Sequence, residues 1–151
     1  MNSTSTGANF ECTGIYHAFS SNSSIGKLDL RNNIITDLSA PTGTGITALF
    51  RQYGAALDNY ASTSNNNLYY AGTPGPKRVI FLIDPSSSDQ TLPAFKARLV
   101  NREGQSFTED VTVNFLSLVG SSPYFLHIDS TICTRLESGG INITGITDDY
   151  A

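Results

Sequence analysis

Two carboxylates, or a carboxylate and a base, held on one face of a strand are the simplest acid–base machinery a short chain can build. Asp29 and Arg31 stand two residues apart, a spacing that puts both side chains on the same strand face. Asp84 ends the apolar run Val79–Ile83 and follows Lys77-Arg78, so a carboxylate and a cation would converge if neighbouring strands aligned them. Solvated surface charge accounts for both sets equally, and that is the reading adopted. Inverting glycoside hydrolysis needs two carboxyl groups about 6.5–9.5 Å apart. The pairs Glu109-Asp110 and Asp148-Asp149 are adjacent, which sends their side chains to opposite faces of a strand. His17 and His127 have no nucleophile beside them, and His127, between Leu126 and Ile128, should face outward. Gly43-Thr44-Gly45 is half of a dinucleotide fingerprint and opens no helix. Val79–Asp84 resembles a Rossmann strand without the helices that would cover it. Asp148-Asp149 lacks the spaced oxygens that calcium requires, and no CxxC motif or Cys/His cluster exists. No catalytic residue, metal ligand or cofactor is assigned.

Binding chemistry is better represented. Tyr16, Tyr53, Tyr60, Tyr69 and Tyr70 each offer an apolar ring with a polar tip, which suits them to stack on sugars or to pack in a core. Tyr53, Tyr69 and Tyr70 are the three assigned to sugar contact. Asparagines recur at two corners, Asn32-Asn33 before Ile34-Ile35 and Asn65-Asn66-Asn67 before Leu68-Tyr69, about 34 residues apart, and an internal repeat outranks other signals. A Gly-Ile opening precedes each corner, at Gly14-Ile15 and Gly45-Ile46. Asn2, Asn22 and Asn142 open N-glycosylation patterns that chance supplies in so Asn/Ser/Thr-rich a chain.

The elements that must carry these residues are short. Leu28 and Leu30 alternate with polar residues, Ala48–Tyr60 reads as a strand with a loop, and Val79–Ile83 reads as a strand buried on both faces. Gly72-Thr73-Pro74-Gly75-Pro76 is a turn. Leu92, Phe95 and Leu99 fall on one face of a helix over 92–99, capped by Ser88 or Asp89 with Pro93 in its first turn. Further strands are expected at Val111–Leu118, Tyr124–Ile128 and Ile141–Ile146.

Composition narrows the class. The 151 residues suffice for one domain, and 39% hydrophobic with 15% charged residues argues for a folded chain rich in strand and turn formers. A net charge of −4 with pI near 4.9 removes the attraction that nucleic acid or an anionic membrane would need. The longest apolar stretch, Val79–Ile83, is far short of the roughly 18 residues of a membrane span, and Met1–Phe10 lacks the features of a secretory signal. Cys12 and Cys133, if joined, would close a very long loop and stabilise by about 4 to 5 kcal/mol in the chain-entropy model. Two unpaired, partly buried thiols are the simpler reading.

Short strands with aligned asparagine corners suggest a stacked coil, in which Asn32, Asn33, Asn66 and Asn67 form a ladder between turns. The expectation is an all-β, right-handed parallel β-helix with one short helix near its C-terminal end. A self-contained β-sandwich binding module is the competing architecture.

Several runs carry a family resemblance: SNNNLYYAGTPGPKRVIFLID, SSSDQTLPAFKARL, and TEDVTVNFLSLVGSSPYFLHIDSTICTRLESGGINITGITDDY. Across about residues 25–150 the chain resembles the C-terminal end of pectin-lyase-like parallel β-helix proteins, above all large secreted or surface-attached bacterial members. The resemblance implies that residues 1–151 are a single domain, the last coils and cap of a longer exported protein. It also implies a non-enzymatic extracellular scaffold, adhesin-like or carbohydrate-contacting, with a polysaccharide or cell-surface glycan as partner. The alternative is the C-terminal part of a polysaccharide lyase or glycoside hydrolase whose catalytic coils lie upstream. An open first coil would also promote self-association unless Met1–Phe10 folds over it.

Overall fold

The computed structural model describes residues 1–18, 26–84 and 87–146. The Asn22 pattern, Ile25 and Asp148-Asp149 lie outside the described residues. In chain order the elements are β1 (Cys12–Ala18), β2 (Ile34–Thr36), β3 (Thr47–Tyr53), β4 (Leu68–Tyr70), β5 (Arg78–Asp84), β6 (Ser87–Asp89) and α1 (Leu92–Leu99), with a 3-10 turn at Arg135–Glu137.

Hydrophobic content selects the centre of the larger sheet. β5, the most apolar segment of the chain, is flanked by β3 on one side and β6 on the other, and β1 lies beyond β3. β1, β3 and β5 run parallel, in a register that aligns Ile15 with Phe50 and Phe50 with Phe81. β2 and β4 form a second, parallel two-stranded sheet in which Ile35 faces Tyr69. The core joins both sheets to the helix: Ile35, Leu49, Phe50, Tyr60, Tyr69, Phe81, Phe95 and Leu99 form one buried cluster. Phe95 is its hub, stacked on Phe81 at 4.9 Å and edge-on to Tyr60 and Tyr69 at 6.2 and 5.7 Å. Such pairs add about 0.5–1.5 kcal/mol each beyond burial.

α1 spans the expected residues and buries Leu92, Phe95 and Leu99. Its cap differs from expectation. Thr91 accepts the Ala94 N–H at 3.4 Å, while Asp89 is drawn into β6 and holds Arg98 through two bonds of 2.5 and 2.8 Å. A charge-assisted fork therefore ties the last strand to the helix.

This topology corrects the right-handed parallel β-helix expected above. The larger sheet is mixed, because β6 returns antiparallel along β5; the smaller sheet has two strands; and the sheets neither close nor continue as a solenoid. The reason lies at β5. Its far edge is taken by β6 and the adjoining aromatic core is covered by α1, so chain beyond Phe107 does not continue the parallel ladder at β5. The strands expected at Val111–Leu118, Tyr124–Ile128 and Ile141–Ile146 accordingly do not form. Residues 114–129 fold on themselves through Leu116 N–H to the His127 carbonyl (2.8 Å) and Leu126 N–H to the Ser117 carbonyl (2.9 Å). The Gly-Ile repeat also misaligns, since Cys12 rather than Gly14 is brought near the start of β3, opposite Thr47.

Candidate functional site

The asparagine corners resolve into two jobs. Asn32 and Asn66 both adopt the left-handed conformation, with φ of 58° each, which asparagine tolerates better than most residues and which turns the chain. Their side chains do not stack on one another. Asn32 Nδ2 donates to the Ile141 carbonyl at 2.6 Å and its Oδ1 accepts the Ile141 N–H at 2.9 Å, while Asn66 Nδ2 donates to the Gly139 carbonyl at 2.9 Å. The two corners thus clasp residues 139–141 along a cleft of about 480 Å³. Asn33 and Asn67 do meet: Asn33 Nδ2 and its backbone N–H both donate to Asn67 Oδ1, at 3.0 and 2.9 Å.

Asn67 leads to a residue that the sequence did not single out. Its Nδ2 donates to both oxygens of Glu103, at 3.1 and 3.0 Å, in a fully buried setting. Tyr69 donates its hydroxyl to Glu103 Oε1 at 3.1 Å, Tyr60 makes a closer bond to the same oxygen, and Ser106 donates to Oε2. Glu103 itself sits in a left-handed turn after α1, with φ of 56°. Burial pushes both phenols well above the ordinary tyrosine value, with the Glu103 charge adding to each, so they act here as proton-bearing donors. The only hint in the sequence was the turn-forming stretch Asn101-Arg102-Glu103-Gly104, which says nothing about depth.

The opposite side of the larger sheet carries a different set. Register places Tyr16 beside Arg51, and Tyr53 beside Asp84, on one face of β1, β3 and β5. Tyr16 is 60% and Tyr53 63% exposed, so both rings are offered to solvent. Arg51 lies between them, its NH1 2.8 Å from Glu11 and its Nε and NH2 3.1 and 2.9 Å from Asp84. Two carboxylates therefore hold the guanidinium in place, which spares it the rotamer freedom it would lose on meeting a ligand.

The other sequence candidates fall elsewhere. Tyr69 is buried in the core and is corrected as a sugar contact. Tyr70 lies on the other sheet, half-buried against Phe107 and Val111. Asp29 pairs with Arg31 at 2.9 Å and accepts a bond from Thr63, while Asp84 meets Arg51 and not the preceding Lys77-Arg78. Glu109 accepts from Thr134 and Asp110 from Thr112, on separate partners. His17 Nδ1 is 3.3 Å from Gln52 Oε1, and His127 is exposed beside the Tyr124 ring. A Cβ on Gly43 or Gly45 would strike the carbonyl of Ala8 or Phe10, so these glycines serve close packing against the N-terminal segment. Cys12 and Cys133 are both free, the first half-buried and the second exposed. Among the described residues no three His, Cys, Asp or Glu side chains gather as a metal site would require, and no helix is long and apolar enough to cross a membrane.

No family model, curated protein or solved structure matches the chain, and nothing in these comparisons ties it to the pectin-lyase-like class.

Proposed function

We propose that the chain is a non-catalytic binding scaffold whose ligand face is the row Tyr16–Arg51–Tyr53 and whose ligand is a glycan. The observation that carries this reading is the pairing of two tyrosine rings, each more than half exposed, around an arginine already fixed by Glu11 and Asp84. Tyrosine rings stack on the apolar faces of sugars, and an oriented guanidinium with its carboxylates offers donors and acceptors to vicinal hydroxyls. From strand spacing and rise the backbone positions of the two tyrosines stand about 8 Å apart, a span suited to a short run of linked sugars. Glu103 is sealed from solvent and engaged by four side chains, which suits a structural post rather than a general acid. The setting that fits this role is extracellular, at a cell surface.

Titration calorimetry against a panel of neutral and acidic oligosaccharides tests it. Binding is expected, with Tyr16→Ala and Tyr53→Ala each weakening it by about tenfold. The same mixtures, followed for new reducing or unsaturated ends, should show no turnover. Turnover would instead favour the lyase or hydrolase alternative.

A further inference from the structure

The two edges of the larger sheet are managed differently. On the β5 side the sheet ends in the short antiparallel β6, which Asp89 and Arg98 lock to α1. On the other side β1 pairs only with β3, and among the described residues nothing bonds to its outer edge. Met1–Phe10 does not cover that edge. It runs beside residues 36–42, through Leu38 N–H to the Met1 carbonyl, Ala40 N–H to the Ser3 carbonyl and Thr42 N–H to the Phe10 carbonyl. Natural edge strands usually carry lysine, proline or a bulge that discourages pairing. β1 reads CTGIYHA, without a lysine, a carboxylate or a proline over its seven residues. Over Cys12–Ala18 no lysine, arginine or carboxylate is present to repel a like strand. Core-facing Ile15, Leu28 and Leu30 remain only partly buried at this end.

We infer that β1 is a dimerisation edge whose occupant is β1 of a second copy, paired antiparallel about a twofold axis near Ile15. Backbone donors and acceptors along one strand edge are self-complementary in that arrangement, and an isologous contact uses the same patch twice. The opposite edge ends in β6, only three residues long, and so short an edge offers too little ladder to extend the assembly beyond two copies. A twofold axis through an antiparallel strand pair stands perpendicular to the sheet. The Tyr16–Arg51–Tyr53 rows of both copies therefore lie on one continuous face, giving two linked ligand rows.

The test uses the full chain. Sedimentation equilibrium over a wide concentration range should show a monomer–dimer equilibrium and no larger species. Hydrogen exchange of the Cys12–Ala18 amides should slow as concentration rises, while exchange in β5 stays unchanged. The variant Thr13→Lys/Ala18→Lys places charge on the edge and should weaken the dimer by about tenfold or more, with the melting temperature of the dilute monomer followed as the check on its fold. A monomer throughout, species that grow beyond the dimer, or a dimer whose β1 amides stay unprotected would overturn the inference. So would a dimer indifferent to the lysines but lost on Leu118→Ser, which would place the contact on the exposed apolar loop at 113–126. Because these readouts involve no sugar, they succeed or fail independently of glycan binding.

Discussion

Tyr60 and Tyr69 on one side and Tyr16 and Tyr53 on the other set the same chemistry against opposite surroundings. Each pair of phenols accompanies a charged group, Glu103 inside and Arg51 outside. Inside, every polar atom of the group is matched to a protein partner and water is excluded, so the arrangement holds the two sheets and the turn after α1 in one geometry. Outside, the arginine is fixed by carboxylates but the rings beside it are bare. A tyrosine becomes a post or a platform according to which way its position points, and that is a property of register.

Removing the inner group should break the comparison most severely. Glu103→Ala leaves the donors of Tyr60, Tyr69, Asn67 and Ser106 facing a cavity and should cost about 3–5 kcal/mol in denaturant unfolding. Glu103→Gln keeps the shape but turns an amide hydrogen toward those donors, for about 1–3 kcal/mol. The asparagine pair comes next. Asn67→Ala, fully buried and bonded to both Glu103 and Asn33, should cost about 2–3 kcal/mol, against about 1 kcal/mol for the more exposed Asn33→Ala.

Alkali should separate the two tyrosine pairs. Burial holds the folded Tyr60 and Tyr69 hydroxyls above the value of about 10 that they regain on unfolding. Their contribution to stability is therefore complete below about pH 10 and declines as pH rises beyond it, because only the unfolded chain releases those protons. Phenolate absorbance should show two tyrosines ionising only as the fold is lost, and Tyr60→Phe/Tyr69→Phe should remove that late phase. The smallest effect sharpens the contrast from outside. Tyr16→Ala should change stability by no more than about 0.5 kcal/mol, a surface value.

Much of this arrangement was legible in the sequence. The helix over Leu92–Leu99 and the strand through Val79–Ile83 announced themselves, because three apolar residues at helical spacing and an unbroken apolar run have few other uses. The meeting of Asn33 with Asn67 followed from corner spacing. The β-helix did not form because β6 turns back, and that reversal is decided by three polar residues, Ser87–Asp89, whose pairing comes from Arg98 and the open edge of β5 rather than from any strand propensity of their own. The segments after Phe107 have strand-like composition but meet only in isolated bridges, Phe115 with Ile128 and Ser117 with Phe125, which composition cannot reveal. Tyr69 was misplaced as a sugar contact for a related reason: in Leu68-Tyr69-Tyr70 all three residues are apolar enough to point inward, and the fold buries Leu68 and Tyr69 against different clusters while leaving Tyr70 partly exposed. Glu103 was invisible because its partners come from positions 60, 67, 69 and 106, gathered by the fold alone.

Ring resonances of the tyrosines, followed by NMR through a titration with the tightest-binding oligosaccharide, test the division between platform and post most directly. The signals of Tyr16 and Tyr53 should move together to saturation while those of Tyr60 and Tyr69 stay in place. Shifts centred on Tyr60 and Tyr69, or saturation with Tyr16 and Tyr53 unmoved, would contradict it.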